Sequence, residues 1–391
     1  MKKTAAILIV LSLAYSLSAG TDTPCDTLDQ IHFGSSNSPL KGLTITWRSP
    51  GQADSIKWGY TETFGKGNFC GKNNSDYYLN LFNYTFPDLL PDTSIYYSIY
   101  NSFKKYWTDR KKFNTAAESE NKHFTFTVLG DSRSHLNDWH SLSSAVCPSD
   151  LSIFAGDIVS KGGSIQKWDN WFNYGKKYLS QNLVYHTPGN HEYSGDPHND
   201  NYLNLFTFPK NSANNDFYYS FRFGEAIFIC LNSEDAQDST QYKWLIKTLR
   251  NNKSVKWKFI WFHRPFYTSP SHEGEMDKYF GTWWKAFDDY GVDLIFNGHT
   301  HNYQRTIPIN RNISFTEGVD SYGSLPYQGR CQIVTGGAGA PLDKAGTGWF
   351  IDTSYSGLHY ILVEVSGDTI NIKALTQDNS TVDKFSIVKK Y

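Results

Sequence analysis

Five strongly apolar runs in this chain each end in a short group of residues that can ligate a metal, in a fixed order along the sequence. They are FTFTVLGDSR with Asp131, LSIFAGDIVS with Asp157, LVYHTPGNHE with Asn190 and His191, KFIWFHRP with His263, and VDLIFNGHTH with His299 and His301. A single Gly-Asp pair after a strand is common turn chemistry, and a single buried histidine is usually a satisfied core residue. Five such endings constrain the fold far more tightly. Aspartate, asparagine and neutral histidine all offer lone pairs to a first-row metal, and each group here stands just past a strand-like run. The pattern predicts an α/β (α+β) fold in which several strands deliver their following loops to one edge.

The chain has 391 residues, too many for one ordinary core, so two folded domains are expected. With 39% hydrophobic and 19% charged residues and a formal net charge of −1, the composition is globular and offers no polybasic surface. A nucleic-acid backbone or an anionic membrane is therefore not expected as the main partner, while a small phosphorylated substrate stays open. Oligomeric state is not legible.

Residues 1–20, MKKTAAILIVLSLAYSLSAG, place two lysines before a short apolar stretch and end in small residues, which is the pattern of a secretory signal peptide. The stretch is too short to span a bilayer, and no other segment is apolar enough to insert stably in a membrane. A secreted or periplasmic protein is expected. Residues 21–118 read as short alternating strands, LTITWRS, SIKWGYT, YYLNLFNYTF and SIYYSIYNSF, separated by turn residues, and predict a small all-β sandwich. A polar linker at 115–122 leads into a second part, 122–391. There, Ile165, Trp168, Phe172 and Leu179 form one helical stripe and Phe280, Trp283, Trp284 and Phe287 another, both expected to face the core. YYSFRFGEAIFICLN and HYILVEVSGDTINIKAL read as hairpins. Of five cysteines, Cys25 and Cys70 are the preferred pair, while Cys147, Cys230 and Cys331 sit in or beside apolar runs as small hydrophobes.

The series GDSR, GDIVS, GNHE, FHRP and GHTH resembles the calcineurin-like metallophosphoesterases. The longer stretches GHTHNYQR and HRPFYTSPSHEGE are similar to the purple acid phosphatases within that group. The likeness runs at motif level over 122–391, and the strands in front of it resemble the fibronectin type III-like domain of the larger purple acid phosphatases. The resemblance implies a two-sheet αβ/βα metallophosphoesterase sandwich preceded by the all-β sandwich, and a site for two divalent or trivalent metal ions. Such ions, about 3.5–4 Å apart, need a bridging carboxylate and activate a bridging hydroxide as nucleophile. By the same resemblance, Asp131, Asp157 and His301 hold the first metal, and Asp157, Asn190, His263 and His299 the second, with Asp157 as the bridge. His191 is implied to touch the leaving-group oxygen, and His272 to bind phosphate or protonate the leaving alkoxide.

This chain also departs from the family. The tyrosine that binds ferric iron in purple acid phosphatases is replaced by Ser160, and the histidine of other metallophosphoesterases by Arg133. Glu273 stands where a second outer histidine would be. His135 is one candidate for the missing ligand. Two readings of Arg133 stay open, a surface cation paired to a carboxylate and a bidentate phosphate clamp. The expected function is an exported dinuclear phosphoesterase that hydrolyses phosphate monoesters, with a phosphodiesterase as the alternative. A non-catalytic binding protein is a third reading, opposed by the intact ligand set. Iron, zinc and manganese all suit these ligands.

Overall fold

A computed structural model describes residues 27–389, apart from 75–79, 118–121, 212 and 214. The expected signal peptide lies outside the described residues, as does Cys25 and with it the expected Cys25–Cys70 pair. Cys70 itself ends an edge strand with its side chain exposed.

The first part forms two antiparallel sheets. One has the order Asp29–Ser35, Leu43–Arg48, Leu81–Thr85, Lys72–Asn74. The other runs Asn68–Cys70, Ser55–Gly59, Ser94–Asn101, Tyr106–Trp107, with Lys111–Asn114 also paired to Ser94–Asn101. Alternation along Ser94–Asn101 puts Ile95, Tyr97 and Ile99 inside, as the period of a strand requires. Residues 115–117 of the expected linker are buried, and Ala117 N–H donates to Asp150 Oδ1 at 2.7 Å.

The sandwich is joined to the rest of the chain by a continuous apolar cluster that contains both Trp47 and Phe126. Polar contacts reinforce that join. Arg48 Nη1 lies 2.6 Å from Asp169 Oδ1, and the Tyr97 hydroxyl donates to Ser180 O at 2.9 Å.

The second part is a pair of face-to-face mixed sheets. The first has six strands in the order Val184–His186, Leu151–Phe154, His123–Leu129, Tyr360–Ser366, Thr369–Leu375, Thr381–Val388; the first three are parallel. The second has seven, in the order Tyr219–Phe223, Ala226–Cys230, Trp257–Trp261, Leu294–Asn297, Cys331–Thr335, Tyr303–Thr306, Ile351–Tyr355. Its central strands are buried on both faces and largely apolar, with Lys258 and Gln332 as buried exceptions. Phe228, Phe259 and Phe296 face the first sheet, with ring centroids 5.2, 5.0 and 5.9 Å from that of Phe126. Ile227, Ile229, Ile260 and Ile295 face outward, against helices Ser239–Asn251 and Lys285–Asp289.

Helices Leu136–Ala145 and Ile165–Leu179 cover the outer face of the six-stranded sheet, where the Trp139 and Trp171 rings stack at 5.6 Å. Trp168, Phe172 and Leu179 are buried in that interface, with Ile165 at its margin. Trp283, Trp284 and Phe287 are core residues, as their spacing predicted, although the chain reaches helix Lys285–Asp289 through a wide π-type turn at Phe280–Trp284. Both hairpins form, turning at Gly224 and Gly367, whose positive φ of 57° and 56° is cheap only for glycine.

Candidate metal centre

All five motifs leave the C-terminal ends of parallel strands. Asp131 follows His123–Leu129, Asp157 follows Leu151–Phe154, and Asn190 and His191 follow Val184–His186. Across the sandwich, His263 follows Trp257–Trp261, and His299 and His301 follow Leu294–Asn297. To turn their side chains into one space, Asp131, Asp157 and His299 adopt left-handed backbones, with φ of 59°, 54° and 72°. Such conformations store strain at a built site. The glycines of GNHE and GHTH make room for the two carboxylates: a Cβ on Gly189 would lie 2.3 Å from Asp157 Oδ1, and one on Gly298 2.2 Å from Asp131 Oδ2.

One group of atoms gathers around His263 Nε2. Asn190 Oδ1 lies 3.2 Å from it, Asp157 Oδ1 3.3 Å and His299 Nδ1 3.1 Å. The opposite nitrogen of His263, Nδ1, sits 2.9 Å from Ala155 O and so carries the proton, leaving a lone pair at Nε2. On His299, Nε2 lies 3.1 Å from the Glu275 carboxylate and 3.2 Å from Arg264 Nη1, while Nδ1 faces His263 Nε2. Burial and the adjacent His263 hold the His299 imidazole far below an ordinary histidine. Asn190, Asp157, His263 and His299 thus bring four potential ligand atoms together. Divalent zinc, manganese or iron suits such a donor set.

A second group comprises Asp131, Asp157 and His301, with ligand atoms all within 4.8 Å of one another. His301 Nδ1 donates to Pro341 O at 2.7 Å, so Nε2 faces inward, 3.6 Å from Asp131 Oδ1. Asp131 is fully buried and accepts the His299 N–H on both oxygens, at 3.1 and 3.0 Å. Burial and the Asp157 charge push its carboxyl well above the usual range, a situation that positive charge relieves. The carboxyl stays raised even with the Arg133 guanidinium close by. Arg133 Nε donates to Asp157 Oδ2 at 3.1 Å, and Arg133 Nη2 donates to His301 Nε2 at 3.1 Å. Burial and that guanidinium lower the His301 imidazole to about 4. The residues of this group therefore do not fit a metal ion as they stand, whereas those around His263 do.

Arg133 is paired to a carboxylate, but it is no surface cation, since its side chain is only 16% exposed. His135 does not join the site and lies 3.5 Å from Asp138 on an exposed helix start. His191 Nδ1 donates to Ser160 O at 2.9 Å, which turns Nε2 inward, 3.8 Å from Asp157 Oδ2. His272 is partly exposed at the mouth, its ring centroid 3.7 Å from that of His299.

Two carboxylates that the sequence reading passed over organise this centre. Glu192, fully buried, accepts the backbone N–H groups of Gly189, Asp157, Ile158 and Val159 at 2.7–3.2 Å. It clamps the loops that carry Asn190 and Asp157 to each other. Burial and the Asp157 charge push its carboxyl up to about 8, against the pull of its four donors. Its place beside His191 in GNHE was the available signal. Glu275 accepts from His299, from His272 Nδ1 at 2.9 Å and from Arg264, which is held in turn by Glu234. Nothing local in SHEGE distinguished it from a solvated acid.

The family profile described as calcineurin-like phosphoesterase matches residues 124–303, which hold the centre from Asp131 to His301. This chain contains a calcineurin-like phosphoesterase domain. It is homologous to purple acid phosphatases. It is 26% identical over 321 residues to the Fe(3+)-Zn(2+) purple acid phosphatase 12 of Arabidopsis thaliana, covering 73% of this chain and 66% of that one. It is 25% identical over 342 residues to a phosphoenolpyruvate phosphatase of Allium cepa, covering 79% and 69%. The chain spans less than two thirds of the length of the first curated relatives it matches. A purple acid phosphatase from seeds of yellow lupin, Lupinus luteus, shares the fold of the phosphoesterase domain and the sandwich before it. Its TM-score is 0.74 at 16% identity, over 94% of this chain and 75% of that one.

Proposed function

We propose that this chain is an exported metal-dependent phosphomonoesterase acting on small phosphorylated substrates. The observation that carries the reading is the meeting of Asn190 Oδ1, Asp157 Oδ1 and His299 Nδ1 within 3.3 Å of His263 Nε2. Bound there, iron, zinc or manganese would supply Lewis acidity toward the phosphoryl oxygens and an acidified water as nucleophile. The two-ion form expected from the sequence would need a further cation between Asp131, Asp157 and His301, where Arg133 lies.

The chain's own groups account for the other needs of the reaction. Asp157 is acceptor-only and holds the two halves of the site together through His191 N–H and Arg133. His191, with Nδ1 tied to Ser160 O, presents Nε2 to the side where a leaving group departs; in its imidazolium form it donates a proton there. His272, at the mouth and oriented by Glu275, offers a second donor to phosphate oxygens when both its ring nitrogens carry protons. The names of the relatives, an iron–zinc phosphatase and a phosphoenolpyruvate phosphatase, support a phosphate ester of a small molecule. Export rests on the first 20 residues of the sequence. Among the described residues, no helix is long and apolar enough to cross a membrane.

Metal analysis of the purified chain, run beside turnover of an aryl phosphate monoester and the matching diester, tests the proposal. Bound metal with faster monoester turnover is expected. Faster diester turnover would move the reading to a phosphodiesterase, and a chain with neither metal nor turnover would be a binding protein.

A further inference from the structure

The Arg133 guanidinium fills the atoms that a first cation would need. A histidine whose Nδ1 donates to a carbonyl has one ligating lone pair left, and that of His301 accepts Arg133 Nη2 at 3.1 Å. The Asp157 oxygen turned away from His263 accepts Arg133 Nε at 3.1 Å. His301 Nε2 cannot hold that N–H and a metal ion at once, and the guanidinium on Asp157 Oδ2 occupies the space beside it. Arg133 and Ser160 line the same cavity of about 20 Å³, together with Ser134, Lys167 and Asn170.

We infer that Arg133 takes the place of the first metal ion, so that the centre works with one metal, held by Asp157, Asn190, His263 and His299, beside a fixed guanidinium. The inference rests on the metal-dependent reading above. Charge supports it. Asp131 and Asp157 contribute two negative charges, which one divalent ion and one guanidinium exceed by a single positive charge, enough to favour a phosphate dianion. A second divalent ion would put three cationic centres against the same two carboxylates, and like charges this close in a buried site repel strongly. A guanidinium also holds its charge at any working pH and offers planar N–H donors to phosphoryl oxygens.

The test is metal stoichiometry. The full chain is saturated separately with zinc and with manganese, desalted and analysed for metal per chain. One ion is expected in the wild type, and the manganese form should give the electron spin resonance of an isolated ion, not of a coupled pair. Arg133→Ala frees Asp157 Oδ2 and His301 Nε2 and should raise the content toward two ions. Asp131→Asn keeps an oxygen for the His299 N–H, so it should leave the wild-type content of one ion unchanged; circular dichroism checks that each variant is folded. Two ions in the wild type, no increase in folded Arg133→Ala, or loss of metal in folded Asp131→Asn would each overturn the inference while leaving a metal-dependent phosphatase intact. No metal in the wild type would overturn both.

Discussion

Glu275 Oε2 lies 3.1 Å from His299 Nε2, while the other nitrogen of the same ring lies 3.1 Å from His263 Nε2. A carboxylate behind a histidine sets which nitrogen carries the proton and how the ring is aimed. Glu275 does this from a loop well away in sequence, and its contacts with Arg264 and His272 hold it in place.

Glu275→Gln keeps the size of the side chain and removes the charge. Metal affinity at the His263 group is expected to fall about 10- to 100-fold. Competition with a chelator of known affinity measures this. Thermal stability of the metal-free chain should barely move, because the Glu275 side chain is partly exposed; a large drop in melting temperature would show that Glu275 supports the fold and not the ligand.

Glu192→Gln should act in the opposite way. An amide nitrogen would replace one oxygen that now accepts two backbone N–H groups, setting donors against donors in a fully buried place. Destabilisation on the order of 3 kcal/mol is expected in denaturant unfolding of the metal-free chain. Unchanged stability would mean that the two loops do not depend on this clamp.

His191→Ala separates proton donation from ligation. If Nε2 serves the departing oxygen, alkyl phosphates with poor leaving groups should lose roughly 10² to 10⁴ in rate. A nitrophenyl ester, whose leaving group needs little help, should lose visibly less, and metal content should stay near wild type. Equal losses on both substrates, or loss of metal, would place His191 among the structural supports of the group around His263.

His359 makes the fold sensitive to acid away from the metal centre. The ring is fully buried, its Nδ1 2.8 Å from Gly357 O, and burial lowers it from 6.5 to about 4. The folded value lies below the unfolded one, so between these values the unfolded chain binds more protons. This contribution is therefore complete above pH 6.5 and is lost as pH falls toward 4. It amounts to about 3 kcal/mol between pH 7 and pH 4. His32 and His186, also lowered by burial, add loss of the same sign. Unfolding of the metal-free chain across that range checks the slope, and His359→Gln, which keeps a donor for Gly357 O, should flatten it.

The strands of the phosphoesterase domain were legible because runs such as KFIWF and VDLIF are apolar on both faces, which few other environments tolerate. The candidate ligands were legible for a related reason: each follows its strand directly, so local chain direction alone carries it to the C-terminal edge. The linker was misjudged at residues 115–117, where polar composition hid a segment that packs against Asp150. His135 was a local guess that the structure pairs with Asp138.

The sequence by itself determined that aspartate, asparagine and histidine would follow strand-like runs toward one edge, since strand period and motif order are properties of neighbouring residues; the two-sheet sandwich was implied by the family resemblance. Only the tertiary structure decided how those side chains share atoms. Asp131 accepts from His299 168 positions away, and Arg133 reaches His301 across the same span. Contacts of that separation exist only after the two sheets pack through Phe126, Phe228, Phe259 and Phe296, and no local pattern encodes which donor a buried lone pair will find. For that reason Glu192, Glu275 and the place of Arg133 emerged from packing, while Asp157 and His263 could be read from the chain.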